Sequence, residues 1–154
     1  MALVQPPGGE PSAIEARAVE TFEEYVEARE IEMEVFGYPD DRRVGLRAIF
    51  PRRWDDQRRD RIEQHFLGWL DGRPVAAALA VFADAGALLV AGATLPDARG
   101  HGAYRALVRA RWEAAVERGT PALVVQAGEQ SRPILEGLGF QRVSRLHVLV
   151  DHTA

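Results

Sequence analysis

Apolar and polar positions alternate from Ile14. Ile14, Ala16 and Ala18 share one face and Glu15 and Arg17 the other, which predicts a half-buried strand. The period then changes. Thr21-Phe22-Glu23-Glu24 reads as a capping box, with threonine as cap and Glu24 reaching back. A helix is predicted from there to about Phe36, burying Phe22, Tyr25, Val26, Ala28, Ile31 and Val35, and Gly37-Tyr38-Pro39-Asp40 stops it. Val44, Leu46, Ile49 and Phe50 predict one short helix before Pro51, with Trp54 anchoring the stretch that follows. Apolar runs at 64–70, 74–82 and 88–94, separated by Asp71-Gly72 and by a turn at 84–86, predict an antiparallel meander of three strands. Ala103, Ala106, Leu107, Ala110 and Ala114 mark one side of a helix over 103–118, which Gly119 ends. A short strand at 122–125, a short helix at 131–138 with Pro133 in its first turn, and a closing strand at 141–150 complete the chain. Only the crossover through 103–118 permits a parallel pair, so the pattern predicts a mixed sheet with helices packed on it.

Residues 1–12 are rich in proline and glycine and show no periodicity. They are expected to form a flexible tail before a single domain over 13–154. A chain of 154 residues with 47% apolar composition is long enough for one real core. No apolar run is long enough to span a membrane, and the start lacks the basic and apolar regions of an export signal. With no cysteine, disulfides and thiolate metal sites are excluded, and a cytoplasmic location is expected. The four histidines have no metal-ligand spacing, so no metal is expected. The formal charge of −4 argues against a general nucleic-acid binder. All 19 basic residues are arginine, which suits a high-GC bacterial source and excludes both Schiff-base lysine chemistry and a P-loop lysine. Eight of these arginines fall between Arg42 and Arg61, among Asp41, Asp55, Asp56 and Asp60. They read as a salt-bridged solvated surface or, alternatively, as an anion-binding rim.

The stretch that carries chemistry is Pro96-Asp97-Ala98-Arg99-Gly100-His101-Gly102-Ala103-Tyr104-Arg105, between a strand end and the start of the long helix. Two glycines let the backbone approach a ligand and leave amide N–H groups bare, and the helix N-terminus adds about half a positive charge. Together they suit an anion, above all a pyrophosphate, to which Arg99 adds a charged contact. A Walker loop fails for want of lysine. A Rossmann fingerprint fails because Arg105 stands where its third small residue belongs.

The segment resembles the coenzyme-A loop of the GNAT superfamily of N-acetyltransferases, whose pattern is [QR]-x-x-G-x-[GA]. Arg99 and Gly102 match it, and Tyr104 stands at the third defined position. Ile134-Leu135-Glu136-Gly137-Leu138-Gly139-Phe140 is similar to the family's "LYEKLGF" segment. The resemblance implies the acyl-CoA N-acyltransferase fold, an α/β mixed (α+β) architecture. That fold is a bent, mostly antiparallel sheet of six or seven strands, with helices on both faces and one parallel pair that splays apart. The pantetheine arm enters the split, and Gly92 suits the bulge that starts it. Ala93, Thr94, Leu95, Arg99, Gly100, His101, Gly102, Ala103, Tyr104 and Arg105 are the implied coenzyme contacts.

The implied activity is transfer of the acetyl group of acetyl-CoA, as cosubstrate, onto a primary amine by direct attack. A backbone N–H near Thr94 or Leu95, with Leu95 preferred, would face the thioester oxygen; such a donor contributes roughly 3 kcal/mol. Glu129, just past the strand at 122–125, is the candidate base, ahead of Glu34 and Tyr38. The tyrosine that often serves as acid in the family is Leu135 here, which leaves Ser131, Tyr104 or water. His101 supports the anion, and His65 and His147 on strands are structural. Partners implied are a small-molecule or peptide amine and a possible homodimer, with neither membrane nor nucleic acid. A non-catalytic acyl-CoA sensor of the same fold is the alternative enzyme-free reading, and an arginine-based interaction protein a third.

Overall fold

A computed structural model of the chain describes residues 1–9 and 12–146. Four antiparallel strands form where alternation and the apolar runs predict them: β2 (Glu15–Ala18), β3 (Glu63–Leu70), β4 (Arg73–Ala83) and β5 (Gly86–Thr94). β6 (Leu123–Val125) runs parallel to β5, as the helical crossover permits, and β1 (Ala2–Leu3) pairs antiparallel on its far side. The six strands lie in the order β1-β6-β5-β4-β3-β2. Asp71 and Gly72, with φ of 52 and 78, form the two-residue connection between Leu70 and Arg73. Both are left-handed, as a turn matching the strand twist requires.

Helices cover the two faces. α1 (Phe22–Val35) and α2 (Asp40–Asp60) pack on one face; α3 (Ala103–Glu117) and α4 (Arg132–Gly137) pack on the other. Strand alternation divides the apolar side chains between two cores. Phe66, Ala76, Ala78, Ala80 and Leu89 point to the α3 side with Leu107 and Leu123, whereas Leu67, Ala77 and Ala93 point to Tyr25, Ile31 and Trp54. Each large side chain buried in this way contributes about 1.5–3 kcal/mol. Arg111 is fully buried in α3, donating to the Leu107 carbonyl and, at 3.3 Å, to the Leu79 carbonyl of β4. Burial lowers its pKa to about 10, so it remains a cation at neutral pH. Among the described residues no helix is long and apolar enough to cross a membrane.

Three expectations change. Residues Met1–Leu3 are not tail: Leu3 is buried, and the Met1 amine and carbonyl both bond to Val125. The arginine-rich stretch is one helix of 21 residues running through Pro51, not a short helix ending before it. Proline removes one helical hydrogen bond and crowds the preceding turn. Here Phe50 and Trp54, four residues apart, are buried on either side of it and hold the helix against α1 and β3. The closing strand over 141–150 does not form through Leu146: Gln141 makes a single bridge to Ala2, and Arg142–Leu146 have no regular structure. The remainder of that expected strand lies outside the described residues.

Two buried details set energies. In β5 the register slips, because Ala77 faces Ala93 while Leu79 faces Val90. Ala91, at φ 48, and Gly92 therefore share one partner as a bulge. A methyl group on Gly92 would meet Tyr104 Cε2 at 2.9 Å, so the ring sits where that side chain would be. On the other face, Arg29 pairs with the buried Glu32, whose Oε1 lies 3.9 Å from His65 Nε2, and His65 Nδ1 bonds Gln57 Oε1 at 2.6 Å. Burial raises the Glu32 carboxyl to about 7, against the attraction of Arg29, and lowers His65 to about 3.

Replacing Gly92 by alanine is expected to cost about 1–3 kcal/mol through the clash with Tyr104. Combining it with Tyr104→Ala should recover most of that loss in a double-mutant cycle read by denaturant unfolding. Glu32 binds its proton more tightly folded than unfolded. Its contribution is therefore fully present below the ordinary value of 4.5 and is lost as pH rises through about 7. Glu32→Gln removes that loss, so its stability relative to wild type should climb by about 1–3 kcal/mol between acid and neutral pH. A constant difference across the range would assign the cluster no titration.

Candidate active site

β5 and β6 pair over three residues only, Ala87–Leu89 with Leu123–Val125. β5 continues to Thr94, so the strand from Val90 onward has an open side. Alternation decides which groups face it. The Leu95 N–H bonds the Val75 carbonyl at 2.9 Å, and Ala93 is paired with Ala77 on β4. The N–H of Thr94, between them, therefore turns away from β4 toward the gap. The gap opens into a cleft of about 680 Å³. Gly92 and Thr94 of β5 line it with Ala98–Gly100 and Gly102–Arg105 as one wall, Gln130, Ser131 and Ile134 as a second, and Val35 and Phe36 at the end of α1 as the third.

The first wall is built for negative charge. Pro96–Ala98 make a single 3₁₀ turn, and the carboxylate of Asp97 is paired outward with Arg73 at 2.6 Å. Gly100 and Gly102 then take φ of 86 and 83, which only glycine adopts without strain. Gly102 caps α3, and the first helical bond is from the Ala106 N–H to its carbonyl at 3.0 Å. No side chain caps this terminus and no acid lies in its first turn. Among the described residues the N–H groups from Gly100 to Arg105 have no partner. The dipole and these bare donors act together, and the exposed Arg99 and Arg105 add cations beside them.

Of the residues expected from sequence, Thr94, Arg99, Gly100, Gly102, Ala103, Tyr104, Arg105 and Ser131 meet in this cleft. Ala93 points into the α1-side core, and His101 is exposed outside the lining. Leu95 is corrected as a donor to the thioester oxygen, because its N–H is already bonded to Val75. The N–H of Thr94 is the free one. Glu129 lies exposed in the loop between β6 and α4, and only its neighbours Gln130 and Ser131 reach the lining. Leu135, on α4, is fully buried and does not reach the lining, so the position supplies no acid to the cleft here. Tyr104 is the lining phenol; burial raises its pKa and keeps it protonated. Val35, Phe36, Gln130 and Ile134 were not expected there. Phe36 follows α1 just before Gly37 and is 47% accessible, and no local pattern in the sequence marks it for the cleft. Among the described residues no group of histidines and acids is arranged to hold a metal ion.

Known proteins share this fold. No curated protein sequence matches the chain. Among solved structures, a predicted acetyltransferase from Clostridium acetobutylicum, crystallised with acetyl-CoA, superposes with a TM-score of 0.68 at 15% identity, over 91% of this chain and 99% of its own. An acetyltransferase from Trypanosoma brucei gives 0.68 at 22% identity over 89% and 99%. The aminoglycoside acetyltransferase AAC(6')-Iy, bound to a bisubstrate analogue of CoA, gives 0.68 at 16% identity over 91% and 99%. At such identities these likenesses establish the fold. The sequence model described as the Acetyltransferase (GNAT) family matches residues 19–140. A bare loop before α3, a parallel pair that parts after three residues and a family match across most of the chain converge, and the protein belongs to the GNAT family of acetyltransferases.

Proposed function

We propose that the chain is an acetyl-CoA-dependent N-acetyltransferase that acetylates a primary amine of a small molecule by direct attack. The observation that carries this reading is the meeting, in one cleft, of an uncapped helix N-terminus and an unpaired strand edge. The N–H groups from Gly100 to Arg105, with Arg99 and Arg105, suit the pyrophosphate of the coenzyme. The open side of Val90–Thr94 suits the amides of its pantetheine arm, which add to the sheet as a strand would.

Each chemical task then falls to a stated group. The Thr94 N–H faces the side from which the thioester carbonyl arrives and can stabilise the negative oxygen that attack creates, at roughly 3 kcal/mol for one such donor. The amine attacks without a covalent enzyme intermediate, which a chain without cysteine or lysine accommodates. Among the described residues the lining holds neither carboxylate nor imidazole, so the amine's proton passes to water. Tyr104 is a protonated phenol in the cleft and supplies a proton to the departing thiolate, the task that the buried Leu135 cannot perform. The acceptor meets Val35, Phe36 and Ile134. Structural neighbours bound to aminoglycoside-type molecules support an amine acceptor. The apolar wall of Val35, Phe36 and Ile134 favours an amine carried on an apolar group over a polycation.

The test is release of free thiol from acetyl-CoA across a panel of amines, with arylalkylamines expected to outpace aminoglycosides and polyamines. Gly102→Asp should abolish both turnover and calorimetric binding of CoA, because a side chain at φ 83 is strained and collides with Ser12, displacing the loop, and the carboxylate adds like charge. Binding by wild type without turnover on any amine would favour the sensor reading instead. In the same assay Tyr104→Phe is expected to lower kcat about tenfold or more while the KM for acetyl-CoA stays near wild type. An unchanged kcat would return the thiolate's proton to solvent.

A further inference from the structure

Gly8, Gly9 and Ser12, ahead of β2, are bonded to α4's end, to α3 and to the loop before α3. The Gly8 N–H donates to the Leu138 carbonyl at 3.0 Å, and the Arg109 guanidinium donates to the carbonyls of Gly8 and Gly9. Ser12 makes the contact with the loop itself. Its hydroxyl donates to the His101 carbonyl at 3.0 Å and accepts from the Ile14 N–H at 3.0 Å. A methyl group placed on Gly102 would lie 2.8 Å from the same oxygen. Gly102 lines the cleft and Ser12 does not, so the serine stands behind the loop.

The His101–Gly102 peptide is trans, and a trans peptide points its C=O and N–H in opposite directions. A hydroxyl that holds the His101 carbonyl at the back therefore aims the Gly102 N–H forward. This peptide needs such an anchor. Its orientation turns on the ψ of His101 and the φ of Gly102, and the glycine leaves that φ free to reverse. Turned over, it would present a carbonyl oxygen to an anion in place of a donor. We infer that Ser12 is a positioning residue for coenzyme binding, setting the orientation of the peptide that receives the pyrophosphate. The inference rests on the coenzyme reading of the cleft given above.

The test titrates wild type and variants with coenzyme A and with ADP, which carries the pyrophosphate without the pantetheine arm. Ser12→Ala is expected to weaken both ligands by the same factor, about five- to tenfold, the size of one lost hydrogen bond. Ser12→Thr retains the hydroxyl and should bind as wild type does. A ligand-free readout accompanies these: the Gly102 amide resonance should shift in Ser12→Ala and stay in place in Ser12→Thr. Unchanged dissociation constants in Ser12→Ala, with wild type binding coenzyme A, would overturn this inference alone. So would a loss confined to coenzyme A, which would locate the effect on the pantetheine arm. A wild-type chain that binds neither ligand would remove the coenzyme reading and this inference with it.

Discussion

Hydrogen bonds that the sheet does not make decide what this molecule can do. A parallel pair must satisfy its backbone along its whole length or leave polar groups exposed, and β5 and β6 stop after three residues. Two features keep the gap from closing. The bulge at Ala91–Gly92 bends β5 just past the last pair, and β1 holds the far side of β6, where both backbone groups of Val125 are bonded to Met1. The strand edge is thereby open at the place where the loop before α3 presents its own unpartnered donors. A ligand with amide groups at one end and phosphates at the other completes both.

The electrostatics follow the same economy. The chain as a whole is acidic, with a formal charge of −4, yet the acid nearest the loop, Asp97, is neutralised by Arg73 on the outer side. The positive end of α3 therefore acts on the cleft without a competing carboxylate in its first turn. The arginines of α2 serve a different purpose. Arg47 grips Glu30 through two bonds, Arg43 bonds the carbonyls of Met33 and Tyr38, and Arg59 pairs with Asp56 and Asp60. Those residues fasten α2 to α1 and to itself, which accords with a salt-bridged surface more than with a rim for anions.

Much of the fold was legible because its signals are local. The apolar runs at 64–70, 74–82 and 88–94 gave the meander, Asp71-Gly72 gave its turn, and the small-residue side of 103–114 gave α3. The glycines of the loop were legible for the same reason, since their positive φ angles are a property of residue type. What was missed depends on distant partners. Pro51 reads as a helix stop until Phe50 and Trp54 are known to be buried against α1 and β3. Met1–Leu3 read as tail until β6 offers them an edge. The donor role of Leu95 could not be weighed without the register, because a shift of one residue decides whether an N–H faces β4 or the gap. Val35 and Phe36 enter the cleft only through the way α1 crosses the sheet, which no spacing along the chain reveals.

The contact between Gly92 and Tyr104 has a bearing on how such a sequence can change. The family's loop pattern places a small residue at position 104, and here the ring is accommodated because the facing strand residue has no side chain. A larger residue at 92 is compatible with a small one at 104, and the reverse, but the two bulky choices exclude each other. Drift at either site is thus conditional on the other. With this tyrosine in place any side chain at 92 carries a penalty, which disappears once the ring is given up.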